Sequence, residues 1–144
     1  MRAHLWDEKR QKFIPHIYPE KSPIPEGFDE LAIHYHGGTA VAIEAGLLSK
    51  DEIRTVNAQM LENVRLSGMP SIGLTLYPVY PDGFFHGGMS KAYLYQNGGD
   101  WTWFGGRMIQ QLVVNGMVEE AYAEIHPMIE RVIQNDGFYE WYGS

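Results

Sequence analysis

One helical unit occurs twice in this sequence, at an offset of about 70 residues. In each copy, a short apolar segment that ends in glycine is followed at once by a longer amphipathic segment. Residues 42–47 correspond to residues 112–117, and residues 60–64 correspond to residues 128–132. A repeated helical hairpin with an inner and an outer helix is the building unit of α/α toroids and solenoids. The repeat therefore predicts a mainly α fold that contains two helical hairpins.

Hydrophobic periodicity and end signals place four helices in these two hairpins. Ser49 and Glu52 have the spacing of a capping box, and Pro127 predicts a kink inside the last helix. The inner helix that starts near Asp100 is apolar on nearly every side, so it has to be buried on every side. The predicted helices cover residues 39–47, 49–67, 100–115 and 117–134.

The segments outside these helices indicate loops and short strands. Residues 5–18 have two apolar ends around a charged turn, which predicts a small hairpin or an irregular arm. Prolines interrupt residues 19–30, and residues 71–99 form a long loop with a short alternating strand over residues 72–76. A plain helical bundle is the alternative fold, but bundles normally have short connections. Long aromatic-rich loops before each inner helix are uncommon unless they are functional.

Composition restricts the class of partner. The chain has 144 residues, of which 44% are hydrophobic, and this is enough for one domain with a core. A net charge of −7 with 11 Lys and Arg residues disfavours nucleic acid. No apolar run approaches the ~20 residues that a membrane helix needs. The absence of Cys and of an apolar signal-peptide core at the start predicts a cytoplasmic location.

The densest group of candidate binding residues precedes the second inner helix. Amide and carboxylate groups there can bind hydroxyls, indole faces can stack on a pyranose ring, and two glycines let backbone approach a ligand. A simpler alternative is a glycine turn with Asp100 as the N-cap of the helix. The candidate residues are Tyr95, Gln96, Asn97, Gly98, Gly99, Asp100, Trp101 and Trp103.

A second candidate segment, residues 136–142, lies near the end of the sequence. Glu140 is flanked there by Tyr139 and Trp141. A carboxylate among aromatic rings is the environment that tunes an acid or a base for sugar chemistry. An exposed glutamate in an aromatic tail is the alternative.

The loop motif, the two helices and the Glu140 segment, taken in this order, resemble the six-hairpin glycosidases, which are (α/α)6 toroids. The most similar pattern is that of the neutral/alkaline invertases, while the glucosidase and trehalase relatives are similar but looser. The resemblance covers roughly residues 31–144, and its specific part is residues 95–142. The matching residues are Asn97, Gly98, Gly99, Trp101, Glu140, Trp141 and Tyr142.

This resemblance implies a glycoside hydrolase that acts by inversion on a glucoside- or fructoside-type di- or oligosaccharide. It implies that Glu140 is the general base that activates water, and that residues 97–101 line the sugar pocket. The general acid of those enzymes comes from an earlier hairpin with no counterpart here, which leaves Asp100 as the only internal candidate for the second carboxyl group. Trp141 also stands where the invertase pattern has tyrosine.

A toroid of six hairpins is much longer than this chain, so residues 1–144 are expected to be a single fragment, either the truncated C-terminal part of a longer enzyme or the product of a decayed or split gene. The flanks of helix 100–115 would then be uncovered, and exposed apolar surface of that size drives association. The expected partners are a carbohydrate substrate and either a second copy or the remainder of the toroid. A non-catalytic carbohydrate-binding module is the alternative function.

Two histidines suggest another alternative. His34 and His36 lie on one side of an extended segment, and Glu44 and His86 follow, which is similar to the metal pattern of the cupins. The separation of His36 and Glu44 is longer than in that pattern, and the intervening segment is helical in character. In the toroid interpretation, the two imidazoles instead lie at the pocket mouth and donate to sugar hydroxyls, and no metal or cofactor is predicted.

Overall fold

The predicted helical hairpins are present in the computed structural model, which describes residues 2–143. The fold is mainly α, and the predicted ends of the four long helices are within three residues of the observed ones. Within the described residues, the five α-helices are α1 (Arg2–Leu5), α2 (His36–Glu44), α3 (Lys50–Ser67), α4 (Thr102–Val114) and α5 (Val118–Gln134).

Local signals explain where the helices begin and end. Ser49 Oγ accepts from the backbone N–H of Glu52 at 3.3 Å, and the Glu52 carboxylate accepts from the backbone N–H of Ser49 at 2.8 Å. This capping box was predicted from the sequence and is confirmed. At the other end of α3, Gly68 has the left-handed conformation, with φ of 72°, that favours glycine.

Helix α4 lies between α2 and α5 and packs against both. Its inner side chains join those of the neighbouring helices in one core, which includes Val56, Met60, Met108, Leu112 and Met128. The prediction that α4 is buried on every side is wrong for this chain. Trp103, Val113 and Val114 are exposed, because α2 and α5 cover only two flanks of the helix.

Two short antiparallel ladders complete the fold. Strand β1 (Trp6–Asp7) pairs with β2 (Lys12–Phe13), so of the two predicted alternatives, a small hairpin or an irregular arm, the hairpin is present. Strand β3 (His34–Tyr35) pairs with β4 (Leu76–Tyr77), so the chain enters α2 directly from a strand. None of the helices within residues 2–143 combines the length and apolar character needed to cross a membrane.

Candidate functional site

The end of the described chain returns to the start of α4. The backbone N–H of Asp100 donates to the carbonyl of Tyr142 at 3.0 Å, and the N–H of Tyr142 donates to the carbonyl of Asp100 at 2.8 Å. An up-and-down helical hairpin brings its two ends to one side, as expected from the sequence. The return places Glu140 beside the aromatic residues that begin α4.

An open cavity of about 480 Å³ lies at this junction. Its volume is within the usual range of small-molecule sites. Five of its seven lining residues are aromatic, and Glu140 is the one acidic residue among them. The lining consists of Trp101, Thr102, Trp103, Phe104, Phe138, Tyr139 and Glu140.

The two tryptophans of the cavity have different surroundings. Trp103 is 54% exposed, and the Arg107 guanidinium lies 4.6 Å from its ring centroid. Arg107 also forms an ion pair with Glu44. This ion pair fixes the guanidinium, and the guanidinium in turn holds the Trp103 indole in place. Trp101 is buried, and its Nε1 donates to the carbonyl of Tyr95 at 3.0 Å. Trp103 is therefore the accessible ring, and Trp101 forms a fixed wall.

Asn97 does not line this cavity, contrary to the prediction. It is completely buried, and its Oδ1 accepts from the backbone N–H of Tyr80 at 2.9 Å. Its Nδ2 donates to the carbonyl of Tyr80 at 3.1 Å and to the carbonyl of Lys91 at 3.3 Å. A buried side-chain amide that satisfies backbone groups in this way fastens the loop over residues 80–97 and is not available to a sugar.

The adjacent glycines also have structural roles. Both are buried, and a Cβ atom at Gly98 would collide with Val79, whereas one at Gly99 would collide with the carbonyl of Tyr95. Gly98 also has a φ of +90°, which L side chains rarely adopt. The close approach that these glycines permit is thus between two parts of the protein and not between the protein and a ligand.

Asp100 is an internal ion-pair partner. It is completely buried, accepts from the N–H of Ser71 at 3.0 Å and from the Ser71 hydroxyl, and pairs with the guanidinium of Arg131, which is also buried. Burial raises the pKa of Asp100, and the Arg131 charge and the Ser71 hydrogen bonds oppose this rise. Trp101 occupies the N-cap position of α4. Asp100 is therefore neither an accessible second carboxyl group nor the N-cap.

The histidine pair does not reach a ligand either. Both rings are buried, His34 Nε2 bonds Thr39 Oγ1 at 3.0 Å, and His36 Nε2 bonds the amide of Asn63 at 3.1 Å. Burial and the nearby charge of Lys12 lower the pKa of His34 to about 3, so its ring is neutral. The predicted donation from these rings to sugar hydroxyls is wrong.

The cupin alternative is also contradicted by the structure. A cupin needs a barrel of strands, whereas every strand between residues 2 and 143 is two residues long. Within the same residues, no three His, Cys, Asp or Glu side chains are grouped so that they could hold a metal ion.

The remaining predicted residues, Tyr95, Gln96 and Trp141, do not line the cavity. Tyr95 contacts Trp101 and Trp141 edge to face, with ring centroids 4.8 and 5.9 Å apart, and Gln96 is exposed on the same loop. The cavity includes Trp101, Trp103 and Glu140 from the predicted set. The common pocket that was predicted for Glu140, Asn97 and Trp101 therefore contains only two of these three residues.

Sequence reasoning missed one buried carboxyl group and four lining residues, which are Thr102, Phe104, Phe138 and Tyr139. The apolar character of helix 100–115 predicts that Phe104 is buried in the core, but its spacing of three from Trp101 places both residues at one end of α4. Phe138 and Tyr139 belong to the candidate segment of residues 136–142, in which a role was predicted for Glu140. Glu124 lies on the buried face of α5, where Asn57 Nδ2 donates to it at 2.6 Å, and burial raises its pKa to about 7.

Comparison with known proteins adds no family assignment. No family model matches the chain, and neither the curated proteins nor the solved structures include a match to it. The class of protein is therefore defined by the fold and the site alone. It is a mainly α chain with an aromatic cavity and a single carboxylate at the junction of α4 with the chain end.

Proposed function

We propose that this cavity binds a sugar ring of a di- or oligosaccharide. The observation that carries the proposal is that an exposed indole, Trp103, and an exposed carboxylate, Glu140, line one cavity of ligand size. Ligand sites are generally apolar with a few well-placed polar groups, and this lining has that composition.

The chemistry of the two groups suits a pyranose or furanose ring. A sugar has apolar C–H faces, which pack against an indole, and hydroxyls around its edge. A carboxylate accepts hydrogen bonds from hydroxyls, and a charged acceptor makes these bonds stronger than neutral ones. Phe104 and Phe138 extend the apolar wall beside Trp103.

Hydrolysis is the second candidate function, and the position of Glu140 at the cavity favours it. In this proposal, Glu140 is the general base of an inverting glycoside hydrolase that acts on a glucoside- or fructoside-type substrate. Two carboxyl groups are needed across the scissile bond. Because the ion pair with Arg131 excludes Asp100, the general acid belongs to a further hairpin of an (α/α)6 toroid or to another chain.

Calorimetric titration with sucrose, maltose and trehalose tests the binding proposal. We expect saturable binding of at least one sugar, and an affinity at least about tenfold lower for Trp103→Ala and for Glu140→Gln, equivalent to ~1.4 kcal/mol. Leu66→Ala and Glu130→Gln are the matched controls, because Leu66 on α3 and Glu130 on α5 are exposed and neither lines the cavity. Absence of binding by all three sugars would refute the proposal.

Hydrolysis of aryl glycosides separates the two functions. A binding module binds sugar without turnover, and the described residues supply only one accessible carboxylate to the cavity. We expect turnover in a longer chain that supplies the acid, and its loss in Glu140→Gln, which removes the base with little change of shape. Full turnover by that variant would reject Glu140 as the base while leaving sugar binding intact.

A further inference from the structure

Helix α5 buries a face that contains charged residues and exposes much of its apolar side. Glu124 and Arg131 point inward with Ala121 and Met128. With about 100° of rotation per residue, the centre of the exposed apolar side is turned roughly 120° from the centre of the buried face. The exposed side, here called the α5 stripe, consists of Val118, Tyr122, Ile125, Ile129 and Ile133, and it continues past the helix to Phe138.

A groove runs beside the stripe, between α4 and α5. Its volume is about 440 Å³, and its walls include Gly106 and Ile109 of α4 and Ile125, Ile129 and Ile133 of α5. The surface therefore combines an apolar ridge with an apolar groove. A ridge of the same kind on a partner fits such a groove, as in ordinary helix packing.

The exposed area of the stripe is the size of one side of a protein interface. Its six residues, including Phe138, are between 37% and 83% exposed. Together they expose the equivalent of three to four complete large side chains, or roughly 700 Å² at about 200 Å² each. A standard interface buries about 800 Å² per partner, whereas the largest apolar patch of an ordinary monomer is about 300–600 Å².

We propose that the α5 stripe is the interface of a dimer with a second copy of this chain, in which the two α5 helices pack antiparallel. A two-fold interface needs one self-complementary surface, and the ridge and groove of each copy fulfil this condition by reciprocal insertion. The inference is independent of the proposed sugar site, although Phe138 borders both surfaces.

The charges of α5 decide the relative direction of the two helices. The first turn of α5 carries Glu119 and Glu120. Glu120 lies on the side of α5 away from the stripe, near Glu124, whereas Glu119 lies at the edge of the stripe. A parallel dimer would bring the two Glu119 carboxylates towards each other and would align the two helix dipoles, and both effects are unfavourable. An antiparallel dimer separates the Glu119 carboxylates and opposes the two helix dipoles, with Ile125 near the two-fold axis.

Sedimentation velocity over a concentration series tests the interface. We expect the wild-type chain to be a dimer, and Ile129→Glu to raise the dimer dissociation constant at least about hundredfold, because each dimer would bury two unpaired carboxylates. Leu66→Glu is the matched control, since Leu66 is similarly exposed but lies on α3. A wild-type monomer at every concentration, assemblies larger than a dimer, or equal effects of the two substitutions would overturn the proposal.

Site-directed disulfides test the direction, and they do not depend on a variant that might fail to fold. The chain has no cysteine of its own. In the antiparallel dimer, Ile125→Cys lies near its own copy and should cross-link under mild oxidation. Val118→Cys is about 10 Å further from the axis along the helix, or ~20 Å from its own copy, and should not cross-link. Cross-linking of Val118→Cys, or none at Ile125→Cys, would overturn the antiparallel dimer.

Discussion

The start of α4 and the outward side of α5 differ in the kind of side chain that is buried or exposed. At the start of α4, the polar residues Asn97 and Asp100 are completely buried and have hydrogen-bond or ion-pair partners. Along α5, the apolar residues Ile129 and Ile133 are exposed to solvent. Buried polar groups and large exposed apolar patches both depart from the usual distribution of side chains in a folded protein, so each indicates a specific role for the residues concerned.

The difference separates residues that stabilise the fold from residues that can bind. Asn97 and Asp100 have already formed their interactions within the protein, so they cannot form them with a ligand. Trp103 and the α5 stripe have apolar area without a partner, and this area is what association can bury. Mutation of the buried polar residues should therefore reduce stability, whereas mutation of the exposed apolar residues should reduce binding.

The largest expected effect is that of Asp100→Asn. The substitution leaves the buried guanidinium of Arg131 without its counter-charge, so the free energy of unfolding should fall by about 3–5 kcal/mol. Urea denaturation of both proteins measures this difference. Asp136→Asn is the control, because Asp136 is exposed and its positive φ suits asparagine. Similar stability of the two variants would show that Asp100 is not a structural ion-pair partner.

The second largest effect is a pH dependence that arises from Glu124. The pKa of this group is about 7 in the folded protein and 4.5 without the fold, so the folded state binds its proton more tightly. Its contribution to stability is present below pH 4.5 and is lost as pH rises towards 7, by up to about 3 kcal/mol. Glu124→Gln should remove this loss, because the amide resembles the protonated carboxyl group.

The difference in unfolding free energy between wild type and Glu124→Gln, measured from pH 4.5 to 8, tests this prediction. Taking the difference cancels the acid sensitivity of other carboxylates, such as Glu30, whose pKa burial tends to raise but three hydrogen bonds lower overall. Glu130→Gln, an exposed position on the same helix, should leave the pH profile unchanged. If the difference in unfolding free energy between wild type and Glu124→Gln does not vary with pH, the predicted rise in the pKa of Glu124 is wrong.

Asn97→Ala should have a smaller effect, a loss of about 2 kcal/mol in the free energy of unfolding. The substitution leaves the buried N–H and carbonyl of Tyr80 without their side-chain partner. Gln96→Ala, one residue earlier and exposed, should change stability by less than about 0.5 kcal/mol. Both residues were predicted as sugar ligands, so equal and small stability effects would restore that interpretation.

Features that depend on neighbouring residues were predictable from the sequence, and features that depend on distant ones were not. The capping box of α3 needs only Ser49 and Glu52, and it was predicted with its partners. Asp100 and Arg131 are 31 residues apart, and Asn57 and Glu124 are 67 apart. Residue types alone do not show which of many possible partners a buried polar group finds.

The cavity was only partly predictable from the sequence, because the positions of its residues depend on the hairpin geometry whereas the directions of their side chains depend on contacts with distant residues. The return of the chain end to α4 follows from the up-and-down geometry of a helical hairpin, so Glu140 and Trp101 were expected to be near each other. The inward or outward direction of each side chain at that junction depends on packing. Asn97, Gly98 and Gly99 therefore matched the motif of a sugar loop and yet are buried against Val79, Tyr80 and Tyr95.

The smallest expected stability effect is that of Glu140→Gln, less than about 0.5 kcal/mol, because the carboxylate is exposed. The same variant should bind sugar more weakly, in contrast to Asp100→Asn. Thermal unfolding and calorimetric titration of this one variant measure both properties. A large loss of stability would indicate that Glu140 has a structural role like that of Asp100.

The most direct test of the sugar site uses the indole N–H signals of the four tryptophans in the NMR spectrum. Trp103 lies exposed in the cavity, whereas Trp6 packs against Phe13 and Arg2 in the β1–β2 hairpin region. Titration with sucrose, maltose or trehalose should shift the Trp103 signal saturably and leave that of Trp6 unchanged. An unmoved Trp103 signal with all three sugars, or equal shifts at Trp6 and Trp103, would contradict a sugar site between α4 and the chain end.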